Sequence, residues 1–551
     1  MPLFYFFRNS DGPFLGERLY GEMPKGEALS DPPVAAIIQH DQGETSAFAA
    51  YKTKYENLPH HLKSCLDYIF LCSMCWHDDK DHVVRLLLAQ GLIPEKSGEI
   101  MEDTAASNIK ELIDLGMLHE EYDYYTTRLL VSEFHKKSCI TEVQEHDFVF
   151  KAANLPIHAS ISNGGEDLPP NFKTLLIRSL FAESWESISS HAYHSVYFSQ
   201  VYLQTVCALQ FILVLELHGG IEYLPDEVGE LVHLRYLGLK GTGIKKLPHT
   251  IGNLQKLQTL EVTSSMLHQL PIEILNIKQL RHLIFDNHVP RGIGTLVNLY
   301  SLVGVCADAD AGFAIELSTL THLRNLNIRM VYEDHANELF AAIFNLENLV
   351  SLSLNAEDAY LGTPLPDLEP FSPPPHIQEL SLYGGLIEMP NWLASMENLI
   401  RLVLKRSTLL EFPSSVLQFL PKLKHLILDD AYKTKIIGKE FCNAGGYPKL
   451  ETLLISSMDL VEWTEIVNGA FPSLKKLKFK DCPNLRFLPE GLQHISTIQE
   501  LVLWPSHGDL ARRLKGEENY KIKNISNLDI REERELLFDP KCPLCSLLHS
   551  R

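Results

Sequence analysis

A short apolar phrase recurs through most of this chain and constrains its fold more than any other feature. Each copy has a leucine, two variable residues, a second leucine, one variable residue and a third apolar residue. Apolar residues at a period of two are typical of a strand with one buried face. A single short strand cannot bury that face alone, so neighbouring copies must stack. Copies begin at Leu234, Leu257, Leu280, Leu323, Leu349, Leu399, Leu423, Leu450 and Leu474.

The spacing of the copies identifies the kind of stack. Six of the eight steps between copies fall within about 23 to 28 residues, which is the period of leucine-rich repeats, and the other two, 43 and 50 residues, are longer. We therefore predict an α/β fold, a leucine-rich repeat solenoid of about 12–14 repeats over residues 170–505. Leu-Pro pairs follow several strands, at Leu224, Leu247, Leu270 and Leu488. Proline there favours a turn on the convex side over a long helix.

Residues 54–155 have a different pattern. Apolar residues at helical spacing predict three helices, near Leu58–Phe70, Val83–Leu88 and Met101–Gly116, and residues 124–134 predict a strand pair. This is a small, mostly helical domain. Residues 1–50 are rich in Gly, Pro, Asp and Glu and are expected to be irregular or disordered. The charged residues 506–551 are expected to cap or leave the solenoid.

Charge and cysteine content limit the classes of partner and the compartment. The formal net charge of −21 opposes general binding to nucleic acid or to anionic membranes. Ten cysteines without a regular framework indicate a reducing compartment. The longest apolar run is interrupted at Gln210 and falls short of a membrane span. We expect a cytoplasmic protein that binds no nucleic acid and has no integral membrane association.

Three phrases in the helical segment carry a family resemblance. Leu58-Pro-His-His-Leu-Lys-Ser-Cys65, Cys72-Ser73 and the helix ending Ala89-Gln-Gly-Leu-Ile93 resemble the winged-helix part of plant NLR disease-resistance proteins. Glu145-His146-Asp147 stands where that family carries its Met-His-Asp signature. The resemblance covers about residues 54–530. It implies a winged-helix-like domain, a role in plant defence and innate immunity, and a protein ligand from a pathogen or the host.

The same resemblance implies a nucleotide site. In the family the signature histidine touches the phosphate of bound ADP, which would place that contact at His146, beside Asp147. No P-loop ATPase core precedes the winged-helix part: Gly21 and Gly26 have P-loop spacing, but Glu27-Ala28 stands where Lys and Ser or Thr are required. We therefore predict an N-terminally truncated member with no cofactor, in which ADP or ATP binding is lost. A full-length relative is a second candidate partner.

Other chemistry finds little support in the sequence. Cys72 with Cys75, and Cys542 with Cys545, each lack the second ligand pair that tetrahedral zinc prefers, so we expect thiols and no metal site. No nucleophile elbow or His-Glu-x-x-His motif is present, and a stacked-repeat surface usually binds, so we expect no enzyme activity.

The residues between the leucines are expected on the concave face, where a protein ligand would bind. Lys476, Lys478 and Lys480 share one strand face, which favours an acidic partner or is only a solvated basic strand. Trp504 either anchors a partner or caps the last repeat. The candidate contacts are Arg235, Tyr236, Lys240, Arg281, His282, Arg324, Arg329, Lys476, Lys478, Lys480 and Trp504.

Two alternatives stay open. Leu58-Pro59 followed by Tyr68-Ile69-Phe70 loosely resembles an F-box, which would make the chain a substrate adaptor of a ubiquitin ligase. The match fails downstream, where Leu86–Leu92 replaces the expected Trp-containing end. An extracellular receptor would need a signal peptide, a membrane span and flanking cysteine caps, none of which is evident.

Overall fold

The structure of the protein is a computed structural model that divides into two compact units. The first comprises Met1–Ser187 and Tyr193–His282, and the second comprises Ile188–Ala192 and Leu283–Arg551. The described residues are 3–8, 15–20, 42–74, 79–122, 127–132, 134–135, 157–162, 168, 172–189, 192–195, 197–263, 265–307, 311–356, 363–409 and 414–532.

The first unit combines a helical domain with stacked strands. Its helices are α1 (Gln42–Glu56), α2 (His60–Met74), α3 (Lys80–Gln90), α4 (Met101–Asp114) and α5 (Gln200–Cys207). Its strands are β1 (Leu3–Arg8), β2 (Leu15–Tyr20), β3 (Leu118–Tyr122), β4 (Thr127–Val131), β5 (Ile157–Ser162), β6 (Ile177–Ser189), β7 (Ala192–Ser195), β8 (Val214–Gly219), β9 (Tyr236–Lys240) and β10 (Thr259–Thr263). The ends of β6 and β7, and most of β11 (His282–Phe285), belong to the second unit.

The helical domain forms where the apolar spacing predicts it. Leu66 of α2, Leu87 of α3 and Leu112 of α4 are fully buried in one core. Helix α3 begins after Asp79, whose carboxylate accepts a hydrogen bond from the Asp81 amide, and ends at Gly91, whose φ of 74° suits a glycine cap. The predicted strand pair is the antiparallel pair of β3 and β4, which begins earlier in the sequence than expected.

Parallel strands stack in the first unit in the order β5, β6, β8, β9, β10. Leu215, Leu237 and Leu260 lie opposite one another in register and are fully buried. The Leu-Pro prediction is confirmed, because Pro225, Pro248 and Pro271 have extended backbone and each is followed by a short 3-10 turn.

The second unit repeats this design. Its remaining strands are β12 (Ser301–Cys306), β13 (Asn325–Val331), β14 (Ser351–Ala356), β15 (Glu379–Tyr383), β16 (Arg401–Lys405), β17 (His425–Asp429), β18 (Ile436–Ile437), β19 (Thr452–Ser456), β20 (Glu462–Trp463), β21 (Lys476–Lys480), β22 (Glu500–Ser506) and β23 (Asn527–Glu532). Its helices are α6 (Ala311–Leu317), α7 (Ala336–Phe344), α8 (Ser414–Leu417) and α9 (Gly508–Lys515). Leu326, Leu352, Leu380 and Leu402 mark successive rungs of its buried face. The predicted α/β solenoid with a helical domain is therefore confirmed.

The domain boundaries differ from those predicted at both ends. Residues 1–50 include the antiparallel pair of β1 and β2, and β1 also pairs with β5. The aromatic sequence of β1, Leu-Phe-Tyr-Phe-Phe-Arg, has the composition of a strand, which the polar content of the segment obscured. Strand stacking starts at β5, before residue 170, and continues to β23, after residue 505. Leu528 and Ile530 of β23 continue the alternation opposite Leu501 and Leu503.

Candidate protein-binding surface

Two columns of side chains run across the stacked strands, and the predicted contacts divide between them. The first, which we call the concave column after the face predicted to bind a ligand, comes from alternate strand residues, such as Tyr236 and Lys240 of β9, which flank the buried Leu237 and Leu239. The lateral column comes from the residue just before each strand. Arg235 and Arg281 of the first unit and Arg324 of the second belong to it. The backbone amide of each donates a hydrogen bond to the carbonyl oxygen of the equivalent residue one repeat earlier, which is Leu213, Gln258 or Tyr300 in turn.

Helix α3 covers the concave column of the first repeats. Tyr236 is fully buried, and its hydroxyl lies 2.8 Å from His82 Nε2 on α3. Tyr236, Val214 and Phe181 belong to the same core as α2, α3 and α4. The prediction that Tyr236 is exposed for a partner is therefore wrong. The helical domain already occupies this part of the concave face.

A buried charge network joins α3 to the strands. Glu261 of β10 accepts hydrogen bonds from Tyr236 Oη at 2.7 Å and Arg85 Nη2 at 3.1 Å, and its other oxygen lies 3.0 Å from Lys240 Nζ. Lys240 also lies 3.2 Å from Glu216 of β8, so one cation bridges two carboxylates. Lys240, predicted as a ligand contact, therefore serves this internal interface.

The glycine between those carboxylates makes room for the network. Gly238 lies opposite both Glu216 and Glu261 in the parallel register. A Cβ on Gly238 would lie 2.9 Å from Tyr236 Cε1 and 3.0 Å from Glu216 Cγ. Glycine within a strand often marks such a close approach. The sequence therefore carried a signal: carboxylates at the middle position of two strands, with a glycine between them.

Helix α4 provides a second contact. Glu102 accepts a bidentate pair of hydrogen bonds from Arg281, at 2.8 and 2.7 Å, and lies 3.1 Å from His282 Nε2. His282 is buried. Arg281 and His282, both predicted ligand contacts, are thus engaged with the helical domain. Arg235 is half-buried, and its guanidinium lies beside Gly91 at the end of α3.

The environment sets the ionisation of this interface. Burial opposes ionisation of Glu261, but Lys240 and Arg85 outweigh it and hold its pKa well below the usual range. Burial likewise opposes ionisation of Glu102, yet His282 and Arg281 lower its pKa to about 2. Burial, followed by Lys240, lowers the pKa of His82, and burial lowers that of His282. The carboxylates are therefore charged and the two histidines neutral near pH 7.

In the second unit the predicted basic strand is only partly exposed. Lys476, Lys478 and Lys480 share one face of β21, as predicted, but Lys478 is 1% exposed. Lys478 and Lys476 lie 3.3 and 3.7 Å from Glu500, which belongs to the next strand. The expectation that all three lysines project into solvent is therefore wrong, because a carboxylate that is distant in sequence lies beside them.

The other predicted contacts of the second unit remain near the surface. Arg329 of β13 is exposed, and its guanidinium donates to the carbonyl oxygen of Asp286. Arg324 lies 6.0 Å from the ring of Tyr300. Trp504 of β22 is half-buried, and the Arg531 guanidinium lies 5.1 Å from its ring. Arg531 follows the predicted end of the solenoid, so Trp504 packs against the final strand.

The nucleotide and zinc candidates fall largely outside the described residues. Five of these candidates lie outside the described residues, namely His146, Asp147, Cys75, Cys542 and Cys545. Cys72 is described and is buried. Within the described ranges no cluster of His, Cys, Asp or Glu side chains is arranged to hold a metal ion. None of the helices described has the length and apolar content that crossing a bilayer requires.

Comparison with known families agrees with the stacked strands. A family model described as a leucine-rich repeat region matches residues 194–519. The chain belongs to the leucine-rich repeat family. This leucine-rich repeat protein is similar to proteins of Arabidopsis thaliana. It is 26% identical over 517 residues to "Probable disease resistance RPP8-like protein 2", covering 89% of this chain and 56% of that relative. With "Disease resistance protein RPP8" it shares 25% identity, covering 89% and 55%.

These similarities confirm the resemblance to plant NLR disease-resistance proteins with leucine-rich repeats. The leucine-rich repeat protein spans about half the length of the curated relatives it matches. Among solved structures, a leucine-rich repeat protein of Leptospira interrogans has a TM-score of 0.42 and 21% identity, covering 69% of this chain and 93% of that one. An internalin of Listeria monocytogenes has a TM-score of 0.39 and 19% identity, covering 63% and 92%.

Proposed function

We propose that this chain is a recognition protein of plant defence that binds a protein ligand through the concave face of the second unit. The observation that carries the proposal is the row of outward side chains on its parallel strands. Arg329 is exposed, and Lys476, Lys480 and Trp504 are half-buried beside leucines that form the core. Aromatic and guanidinium groups are frequent anchors of protein interfaces. The disease-resistance relatives support the defence role.

The ligand contacts are assigned to the second unit because the first repeats use their concave residues internally. Tyr236, Lys240 and His282 hold α3 and α4, and a ligand could reach them only by displacing these helices. The ligand is a pathogen protein or a host protein that pathogens target, and a full-length relative is a second candidate. The compartment is the cytoplasm.

We propose further that the chain acts by binding a protein ligand and that it does not bind ADP or ATP. Phosphate loops hold the β-phosphate with backbone amides and a lysine. Glu27 and Ala28 stand where that lysine and its neighbouring hydroxyl are needed. Titration calorimetry with ADP tests this point. A dissociation constant in the low micromolar range or below contradicts it.

The ligand-binding proposal is tested by affinity capture with matched variants. Purified wild-type chain, Arg329→Glu, Lys480→Glu and the control Lys439→Glu are used as baits in extracts of pathogen-challenged plant tissue. Lys439 is exposed in a short 3-10 turn outside the concave strands. A protein captured by wild type and control, and rebound after purification, should be lost from the two concave variants. Equal capture by all four baits contradicts the proposal, and a Skp-type adaptor among the captured proteins favours the ubiquitin-ligase alternative.

A further inference from the structure

A groove of about 660 Å³ lies along the lateral column of the second unit, away from the concave residues considered above. Its floor is formed by Ile400, Lys424, Glu451, Lys475 and Gln499, each of which immediately precedes a strand. The backbone amide of each floor residue donates a hydrogen bond to the carbonyl oxygen at the equivalent position one repeat earlier. The N···O distances of these bonds are 2.7–2.9 Å. The floor is therefore a regular ladder with rungs about 4.8 Å apart.

The groove is positively charged in an acidic protein. Lys422 and Lys449 line it two residues before the floor positions, so it holds four lysines and one carboxylate. All four lysines are exposed. Lys422 donates to Asn398 Oδ1 at 2.8 Å, whereas Lys449 has no hydrogen-bond or ion-pair partner among the described residues. The chain as a whole carries −21, so this groove is a local exception to its field.

Glu451 orders the floor. Its two oxygens lie 3.1 Å from Lys424 Nζ and 2.7 Å from Lys475 Nζ, so it holds the ammonium groups of two alternate rungs. An ammonium has three donor hydrogens, and each of these lysines therefore keeps donors for a ligand. Cations already held in place lose less conformational entropy when a ligand binds.

We propose that this lateral groove binds an acidic segment of a partner protein. Carboxylates of the segment would accept hydrogen bonds from Lys424, Lys449 and Lys475, while the exposed Ser496 and Gln499 meet its backbone. Glu451 in the floor opposes a dense polyanion, and so favours a peptide over nucleic acid or an anionic bilayer. The groove residues differ from the concave contacts, so an acidic segment could bind here whether or not a ligand binds the concave column.

Fluorescence anisotropy with two peptides tests the inference. The probe is a fluorescein-labelled peptide of alternating glutamate and serine, and the matched peptide has glutamine in place of glutamate. Wild-type chain should bind the glutamate peptide, more weakly at higher salt, and should bind the glutamine peptide far less. Lys449→Glu and Lys475→Glu should each weaken binding about tenfold, because reversal turns an attraction into a repulsion.

The control variant is Lys246→Glu, which makes the same charge change at an exposed lysine of the first unit. It should bind like wild type, and circular dichroism should show all variants folded. Equal affinity of the groove variants and the control would overturn the inference, as would equal binding of the two peptides. The inference would also be overturned if the chain bound single-stranded DNA or phosphatidylserine vesicles more tightly than the peptide, and if Lys449→Glu abolished that binding. The groove would then be a polyanion site.

Discussion

Replacing Glu261 by alanine should loosen the helical domain from the first repeats. Glu261 is 5% exposed and contacts Arg85, Lys240 and Tyr236 at 3.1, 3.0 and 2.7 Å. Among the described residues, its removal leaves Arg85 without an ion-pair partner and Lys240 with Glu216 as its remaining carboxylate. Breaking a buried ion pair by removing one partner costs about 3–5 kcal/mol. Opening of the interface should therefore become about two to four orders of magnitude more frequent.

Amide hydrogen exchange read by mass spectrometry measures that opening directly. Peptides from α3 and from β9–β10 should exchange faster in Glu261→Ala, while peptides from β16–β17 keep the wild-type rate. Glu230→Ala, at an exposed glutamate of the same unit, is the control and should leave all rates unchanged. Glu261→Leu combined with Arg85→Met should recover part of the loss, because an apolar pair needs no counter-ion. An exchange rate of α3 in Glu261→Ala equal to that of wild type would show that Glu261 does not hold α3 on the strands.

Three further predictions concern a closely packed glycine, the buried histidines of the interface and the core of the second unit. Gly238→Ala should lower the free energy of unfolding by about 1–3 kcal/mol, because the added methyl group would overpack Tyr236 and Glu216. Gly243→Ala should lower it less, because the nearest atom to a Cβ there lies at 3.4 Å. Urea unfolding measures both variants. The contributions of His82 and His282 to the interface should fall below about pH 6.5, because their pKa values are lowered in the fold and they gain protons only when exposed. The contribution of Glu102 should fall only below about pH 4.5, whereas burial raises the pKa of Asp79 and gives that residue the opposite pH dependence. Hydrogen exchange against pH isolates the part due to His82 as the difference between wild type and His82→Gln. Leu326→Asp should destabilise the second unit by about 3–5 kcal/mol, because it places a charge in the core. Asn327→Asp should destabilise it far less, because Asn327 does not face the core. Equal unfolding midpoints of the two variants would count against that orientation.

The strands of this protein could be predicted from sequence because their signal is local. A leucine at every second position sets which side chains point into the stack, and Leu237, Leu326 and Leu477 do so. The Leu-Pro steps set the turns in the same way, because proline constrains only its own neighbourhood. These features depend on residues within one repeat, so each copy of the phrase could be interpreted by itself.

Exposure could not be predicted in the same way, because it depends on residues far away in the chain. Tyr236 occupies an outward strand position, yet α3, more than a hundred residues earlier, buries it. Lys478 is likewise outward in register, but lies 3.3 Å from Glu500 of the following repeat. Glu216, Gly238 and Glu261 are the exception, since a glycine inside a strand often marks a close approach and the two carboxylates lie opposite it in the register.

Tyrosine nitration shows whether the helical domain covers the outward strand positions of the first repeats. Tyr236 lies on an outward strand position and is fully buried, whereas Tyr223 in the same unit is 42% exposed. Tetranitromethane treatment of the folded chain, followed by peptide mass spectrometry, compares two residues of identical chemistry. Tyr223 should be nitrated and Tyr236 protected, with the protection reduced in Glu261→Ala and absent in denaturant. Nitration of Tyr236 at the rate of Tyr223 in the folded wild-type chain would contradict that coverage.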